Sequence, residues 1–358
     1  MTVLDLPSTR AEAWRWADLG ALSAAAALPP VAYHDARRHL LDLPGARLLF
    51  VDGVLDESAS TLGPVTLAEV TPSSHDLGRH AHGRGWSLRL QADAAADPVQ
   101  IVHVATGAEN HLPAEIILAD DAVAQVIETY VGAGWTNRAT CITLGRSARL
   151  QRSVRLLQDA GFVSLRDEAS LGQGASLVAV FLGTGASGSR IDAQIALDGE
   201  GAYAELGGAL LTRADQRQEC AIRVNHAQPN GQSHQLWRAV AADRSTASLA
   251  AAVEVARHAQ KTDGEQSLRG LLLHRTATVN LKPELEIFAD DVKCAHGATV
   301  GELDTRALFY MESRGIPEGR AKALLTRAFV ADSLDRIGNE TVREAFTADA
   351  DAWLEATL

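Results

Sequence analysis

Hydrophobic and small residues recur along the middle of the chain at a nearly fixed spacing. At four places a leucine is followed by a short polar turn, an alanine and an extended stretch, with the leucines 26, 27 and 26 residues apart. These leucines are Leu118, Leu144, Leu171 and Leu197. Similar segments begin at Ala242 and at Leu273, which lies 76 residues beyond Leu197, close to three more periods. A fixed period in this range is typical of a repeat architecture.

Within the repeats, apolar residues alternate with other residues, as from Ile191 to Leu197. A period of two predicts strands, and no sustained helical stripe runs from 118 to 280 apart from a weak one near 250–258. Short strands that repeat in this way favour a parallel β-helix over helical or leucine-rich repeats. The alternative is a twisted antiparallel sandwich whose spacing is coincidental.

The N-terminal part of the chain lacks this repeat. Residues 1–45 are predicted to be helical and irregular, and Thr9 and Glu12 have the spacing of a capping box. Short extended pieces follow, such as Arg47–Val51 and Trp86–Leu90, separated by glycine and proline turns.

The C-terminal part changes to a helical pattern. Gly315 and Pro317 predict that one helix ends and another begins there, and Gly338 predicts a second end before a third helix from Asn339. The second helix is predicted to bury a stripe of Ala321, Leu324, Leu325, Ala328 and Phe329. The third is predicted to bury Val342, Ala345, Phe346 and Trp353. We therefore divide this mainly β chain into an N-terminal helical and mixed region (1–105), a β-helix core (106–298) and a C-terminal helical domain (299–358).

Composition narrows the class of protein. Of 358 residues, 46% are hydrophobic and 22% charged, which is ordinary for a globular chain. The formal net charge of −12 argues against a nucleic-acid partner. The N-terminus has neither a basic start nor an apolar run, and no stretch is long enough to span a bilayer. We expect a cytoplasmic protein without membrane contact.

Cys294 and His296 form the most informative constellation for chemistry. In an extended segment, residues i and i+2 point to the same side, so thiol and imidazole would project together. Both groups are ligands for zinc and iron, but two ligands are only half of a closed site. Three interpretations stay open: a structural cysteine beside a hydrogen-bonded histidine, a half-site at an interface, and a catalytic dyad. The three cysteines are far apart in sequence, so we expect no disulfide framework.

Other features of the sequence give weaker indications of function. Arg166 and Asp192 occupy matching positions in adjacent repeats and predict an ion pair between turns. The glycines of 183–188 fit a dinucleotide-binding spacing, but no helix is predicted after them. His226 and His234 are expected to be surface loop residues.

The segment from 259 onward closely resembles one known family. The resemblance lies in Ala259–Asp263, Gln266–Ser267, Lys282–Asp304, Ala307–Tyr310 and Ser313–Ile316, and it continues more weakly upstream. These segments resemble the SufB/SufD family, the scaffold subunits of the Suf iron–sulfur cluster assembly system. Cys294–Gly301 is similar to the SufD-type version, since the SufB-type version lacks the cysteine. One departure, Gly264–Glu265, is expected in a turn.

The resemblance implies a right-handed parallel β-helix between helical ends. It implies a non-enzymatic scaffold that pairs edge to edge with a SufB-like subunit and docks a SufC-like ABC-type ATPase through its C-terminal helices. His296, with Cys294, would face the partner's cysteine and serve as a metal ligand of a nascent Fe–S cluster or iron. That cargo would be transient and shared with the partner rather than bound tightly by the isolated chain.

The residues leave several alternatives open. Cys294 could ligate or only pack, and the isolated chain could form a homodimer through its open edge. The alternative functions are a β-helix carbohydrate-active enzyme, a Cys294-dependent hydrolase and a SufB-like homodimeric scaffold.

Overall fold

Parallel strands wound into a two-sheet β-helix form the centre of the molecule, so the predicted fold class is confirmed. The structure, a computed structural model, describes residues 5–33 and 35–358. Residues 1–4, on which the expectation of no signal peptide partly rests, lie outside the described residues.

Strands make up most of the chain between residues 46 and 302. They are β1 (Ala46–Val51), β2 (Val54–Leu55), β3 (Val65–Val70), β4 (Gly83–Leu90), β5 (Val99–Leu118), β6 (Val123–Leu144), β7 (Arg149–Leu156), β8 (Ala160–Leu171), β9 (Ser176–Gly183), β10 (Gly188–Leu197), β11 (Tyr203–Thr212), β12 (Arg217–His226), β13 (Gln232–Ala241), β14 (Thr246–Val255), β15 (Asp263–Leu272), β16 (Thr278–Ile287) and β17 (Lys293–Glu302). The helices are α1 (Leu19–Ala26), α2 (Thr305–Ser313), α3 (Glu318–Leu334) and α4 (Glu340–Thr357). The proposed domain boundaries at 105 and 298 stay predictions.

Two sheets face each other around the core. The C-side sheet, which α3 contacts, contains β7, β9, β11, β13, β15 and β17, and the N-side sheet, which α1 contacts, contains β8, β10, β12, β14 and β16. The long strands β5 and β6 each contribute to both sheets. From β5 to β16 the chain completes seven turns, and β17 begins an eighth. At the first end, β1 and β4 pair with β5 and cover the core.

The repeat leucines end the strands of the N-side sheet and stack in one column. Leu118, Leu144, Leu171 and Leu197 are in register and almost completely buried, which contributes about 1.5–3 kcal/mol for each side chain. The column continues with His226, Val255 and Ile287, at intervals of 29, 29 and 32 residues. The period therefore lengthens toward the C-terminal end of the β-helix.

Two of the predicted repeat members belong to a different column. Ala242 follows β13 and Leu273 follows β15, both strands of the C-side sheet. They lie at the opposite corner from Leu197, so the near multiple of three periods is coincidental. At six corners after the leucine column, a residue with positive φ helps to reverse the chain, and asparagine, aspartate and glycine tolerate that conformation best. At the leucine corner these residues are Asp121, Ser147, Gly174, Gly201, Asn230 and Lys261.

The N-terminal segment lies on the N-side sheet without the predicted capping box. Glu12 begins a 3-10 turn, Glu12–Trp14, whose N-cap is Ala11 and has no side-chain cap. The Glu12 carboxylate instead accepts a hydrogen bond of 2.7 Å from Lys282. A tertiary ion pair thus replaces the local one that the spacing of Thr9 and Glu12 predicts.

The C-terminal helices begin and end where the sequence predicts. Gly315 has φ +85° after α2, and Asn339 caps α4 by accepting from the backbone N–H of Val342. The stripe predicted for α3 is wrong in part, because Ala328 is exposed and Val330 is buried instead. Within α3 the buried residues are Ala321, Thr326, Val330, Ser333 and Leu334. Among the described residues, no helix is long and apolar enough to cross a membrane.

Candidate functional site

One end of the β-helix is closed, because β1 and β4 cover its core. The other end, formed by β16 and β17, is open, and the predicted site lies there. Strand β16 pairs with β14 and β17 with β15, and the described residues provide no strand for their outer edges. Such edges present unpaired backbone donors and acceptors, which natural proteins usually cover.

Cys294 and His296 lie on β17, the last strand, in the inward-facing columns of the C-side sheet. Cys294 is in register with Gly264 and His296 with Gln266, both of which are buried. No turn formed by the described residues covers β17, so His296 is exposed and Cys294 is half-buried against the core. Partial burial raises the pKa of the Cys294 thiol, which favours the protonated form. Gly264 lies within β15, which corrects the expectation of a turn.

The structure brings Cys294 and His296 to one side of one strand but does not close a site around them. The described residues show no hydrogen bond between thiol and imidazole. They also contain no group of three or more histidine, cysteine or acidic side chains that could hold a metal ion. The pair by itself is therefore two potential ligands that face the end of the molecule.

Apolar side chains are half-buried or exposed at the same end of the β-helix. The inward residues Val279, Leu281 and Leu285 of β16 are only half-buried, because the core is not covered at this end. Phe288 and Val300 are 57% and 46% exposed. An exposed core section with two free edges is typical of a surface that binds another protein.

A second exposed apolar group follows directly in sequence. Phe309 and Tyr310 on α2 are 73% and 60% exposed, while Leu308 and Met311 are half-buried. Sequence reasoning did not single out these exposed aromatic residues.

The predicted ion pair between turns is confirmed. Arg166 Nη1 lies 2.6 Å from Asp192 Oδ1, and Arg190 and His75 contact the other carboxylate oxygen. Burial opposes ionisation of Asp192, but the His75 and Arg190 contacts outweigh it and lower its pKa. A groove of about 420 Å³ adjoins this network beneath Glu12. Sequence reasoning missed it, because its walls come from distant segments.

A buried ionic network near the closed end was also missed. Glu128 accepts hydrogen bonds from His103 (3.2 Å), Tyr130 (2.7 Å) and Arg152 (2.8 Å), and Arg152 also contacts Asp167. All five side chains lie between the two sheets and are buried. Charged residues at inward positions of alternating strands were the available signal.

His226 corrects another expectation. It is buried rather than a surface loop residue, and its Nε2 lies 2.8 Å from Ser233 Oγ. Burial lowers its pKa to about 4, so the imidazole is neutral at pH 7.

The chain is similar to several known proteins. A family model described as "SUF system FeS cluster assembly, SufBD core domain" matches residues 102–329, which include the open end and both site residues. The chain is 28% identical over 264 residues to the iron-sulfur cluster assembly protein SufD of Escherichia coli, covering 71% of this chain and 62% of that protein. It is 31% identical over 232 residues to the chloroplastic protein ABCI7 of Arabidopsis thaliana, covering 61% and 48%. A SufBD family protein of Mycobacterium tuberculosis is 32% identical over 197 residues, covering 53% and 50%. The chain thus spans about half to 62% of the length of these relatives.

Proposed function

Because this chain belongs to the SufBD family of the SUF system for Fe–S cluster assembly, we propose that it is a scaffold subunit whose open end forms a cluster-building interface. The observation that carries the proposal is the position of Cys294 and His296 on a strand with a free edge. The iron or nascent cluster is cargo here, and the chain's role is to supply ligands and a docking surface.

The form of the open end indicates what kind of partner fits it. Two parallel edge strands, β16 and β17, lie on opposite sides of an exposed core section. Another two-sheet β-helix can pair with both edges at once and cover the core between them. We therefore propose that the partner is a SufB-like subunit of the same architecture. A second copy of this chain meets the same requirement and is the alternative for the isolated protein.

The half-site gains its remaining ligands from that partner. Thiolate and imidazole suit iron, and a closed site needs about four ligands. Cys294 and His296 supply at most two, so a cluster would bridge the two subunits. The raised pKa of the half-buried Cys294 thiol disfavours the thiolate until a metal ion displaces the proton.

The C-terminal helices are proposed to bind an ABC-type ATPase of the SufC kind. The exposed Phe309 and Tyr310 on α2 support this, since aromatic anchors are enriched at protein interfaces. Helix α2 follows β17 directly, so a movement of the bound ATPase would be transmitted to the last strand. A cytoplasmic location stays part of this proposal.

The test is anaerobic cluster reconstitution in the complex. The chain is coexpressed with its neighbouring operon genes, and bound iron, sulfide and visible absorption are measured per complex. We expect His296→Ala to reduce cluster content at least about tenfold while the complex still assembles. Cys294→Ala is expected to reduce it less.

Matched controls keep this test specific. Cys141→Ala and His258→Ala change an exposed cysteine and an exposed histidine elsewhere in the β-helix. They are expected to leave cluster content unchanged. Full cluster content in both site variants would show that Cys294 and His296 are structural and would overturn the proposed site.

A further inference from the structure

The inward column beneath His296 contains two buried glutamines with an unusual shared feature. Gln235, Gln266 and His296 are in register on β13, β15 and β17, so each lies one strand spacing, about 4.8 Å, from the next. Both glutamines are 1% exposed. Nothing in the sequence pattern of an apolar core explains polar amides at these inward positions.

Each amide is held in one orientation. Gln235 Nε2 donates to the carbonyl oxygen of Ala252 and Gln266 Nε2 to that of Glu284, both at 3.2 Å. These bonds cross the core to the N-side sheet. The Oε1 atoms of both glutamines have no hydrogen-bond donor among the described residues. A buried acceptor without a donor is costly and rare in native proteins.

His296 can provide the missing donor for Gln266. A neutral imidazole has one N–H donor and one nitrogen with a free lone pair. An N–H directed down the column to Gln266 Oε1 leaves the other nitrogen directed outward, toward the open end. Histidines that bind metals are usually oriented in this way by an acceptor behind them, which fixes the tautomer and the ring.

We propose that Gln266 is the positioning residue of His296: the two side chains are in register but not hydrogen-bonded in this structure, and the free amide oxygen would accept the inward N–H and thereby present the outward nitrogen as a metal ligand. The inference rests on the proposed function for its purpose, but the pairing itself is a property of this chain. Gln266 does not touch the metal ion in this arrangement.

Gln235 is a matched control within the same column. It has the same side chain, the same burial and the same free oxygen, but its neighbour toward the open end is Gln266 and not an imidazole. A general effect of removing a buried amide would be equal for Gln235 and Gln266. An effect on His296 should be specific to Gln266.

The pairing is tested by the tautomer of His296 in the full chain labelled with ¹⁵N-histidine. Long-range proton–nitrogen spectra at pH 8 distinguish the two ring nitrogens, and the signals that disappear in His296→Ala identify this residue. We expect one tautomer in the unsubstituted chain and a mixture in Gln266→Leu. Gln235→Leu should keep the single tautomer. Gln266→Glu should keep it too, because a carboxylate retains the acceptor. Thermal melting confirms that each variant is folded.

Metal binding gives the second measurement, with Co²⁺ as the probe. Loss of the orienting acceptor is expected to weaken Co²⁺ binding by about 10–100-fold in Gln266→Leu but not in Gln235→Leu. An unchanged tautomer in Gln266→Leu, or an equal change in Gln235→Leu, would overturn the inference.

The two measurements separate this inference from the proposed function. A tautomer that depends on Gln266, together with cluster content that is insensitive to His296→Ala, would support the pairing and reject the metal role. A cluster that is lost in His296→Ala, together with a tautomer that is independent of Gln266, would support the metal role and reject the pairing.

Discussion

The two ends of the same β-helix treat polar inward-facing residues in opposite ways. Near the closed end, Glu128, Arg152 and Asp167 are completely covered, and each charge contacts an opposite one. At the open end, His296 is exposed and Gln266 keeps an acceptor without a donor. The residues at the two ends occupy equivalent positions in the fold, because all of these side chains point between the two sheets.

The difference indicates which polar residues are structural and which are available for binding. Inside a covered core, a charge is tolerated only when it is paired, and the pair then fixes the register of the strands that contribute it. His103 extends this network, because its Nε2 faces Glu128 and its Nδ1 accepts from Arg138. An unpaired polar group that opens to solvent retains the capacity to bind a ligand.

The largest effect is expected from removing the central cation of the closed-end network. Arg152→Met leaves Glu128 and Asp167 buried without their counter-charge, and breaking such a pair costs about 3–5 kcal/mol of unfolding free energy. The measurement is denaturant unfolding monitored by circular dichroism. The exposed pair between Arg244 and Asp215 is the comparison, and Arg244→Met should leave the transition unchanged.

A triple variant tests the cause of that loss. Adding Glu128→Gln and Asp167→Asn to Arg152→Met removes both uncompensated charges, so part of the stability should return. A triple variant as unstable as Arg152→Met alone would attribute the loss to packing rather than to charge.

A smaller effect is expected from the titration of His103. Burial lowers its pKa to about 4, although the hydrogen bond to Glu128 opposes this shift. The unfolded chain, with an ordinary histidine pKa, therefore binds the proton first as the pH falls. Stability should be complete above about pH 6.5 and should fall toward pH 4, by about 3 kcal/mol for this residue.

His103→Gln should make that decline shallower. Unfolding free energies measured at several pH values between 4 and 7 provide the comparison with the unsubstituted chain. An equally steep decline in His103→Gln would assign the pH dependence to other histidines, such as the half-buried His111 and the buried His226, whose pKa values burial also lowers to about 4.

The smallest effect on stability is expected at the open end. His296→Ala and Val300→Lys each change an exposed residue, and both should alter the unfolding free energy of the isolated chain by less than about 0.5 kcal/mol. Val300→Lys should still weaken partner binding, because a charge on an edge strand opposes pairing. Ala239→Lys, two turns deeper in the same column, is the matched control and should unfold the chain. A large loss of stability in Val300→Lys would show that the open end belongs to the chain's own core.

Much of the fold could be predicted because its signals are local and repeated. The leucine column, the corner alanines and the ends of the helices depend on neighbouring residues, and a repeat presents the same signal several times. The predictions that were wrong depended on distant contacts. Glu12 pairs with Lys282 rather than capping a helix, and Leu273 lies at the other corner because the period lengthens after Leu197.

The candidate site was also predictable from the sequence only in part. The sequence alone determined that Cys294 and His296 share one side of a strand, since alternation is a property of the extended backbone. Only the tertiary structure decided that no described strand pairs with the outer edge of this one, and that Gln266 lies directly beneath His296. Those facts depend on where the winding stops and on the register between turns, which are set by packing and hydrogen bonds between residues about 30 positions apart.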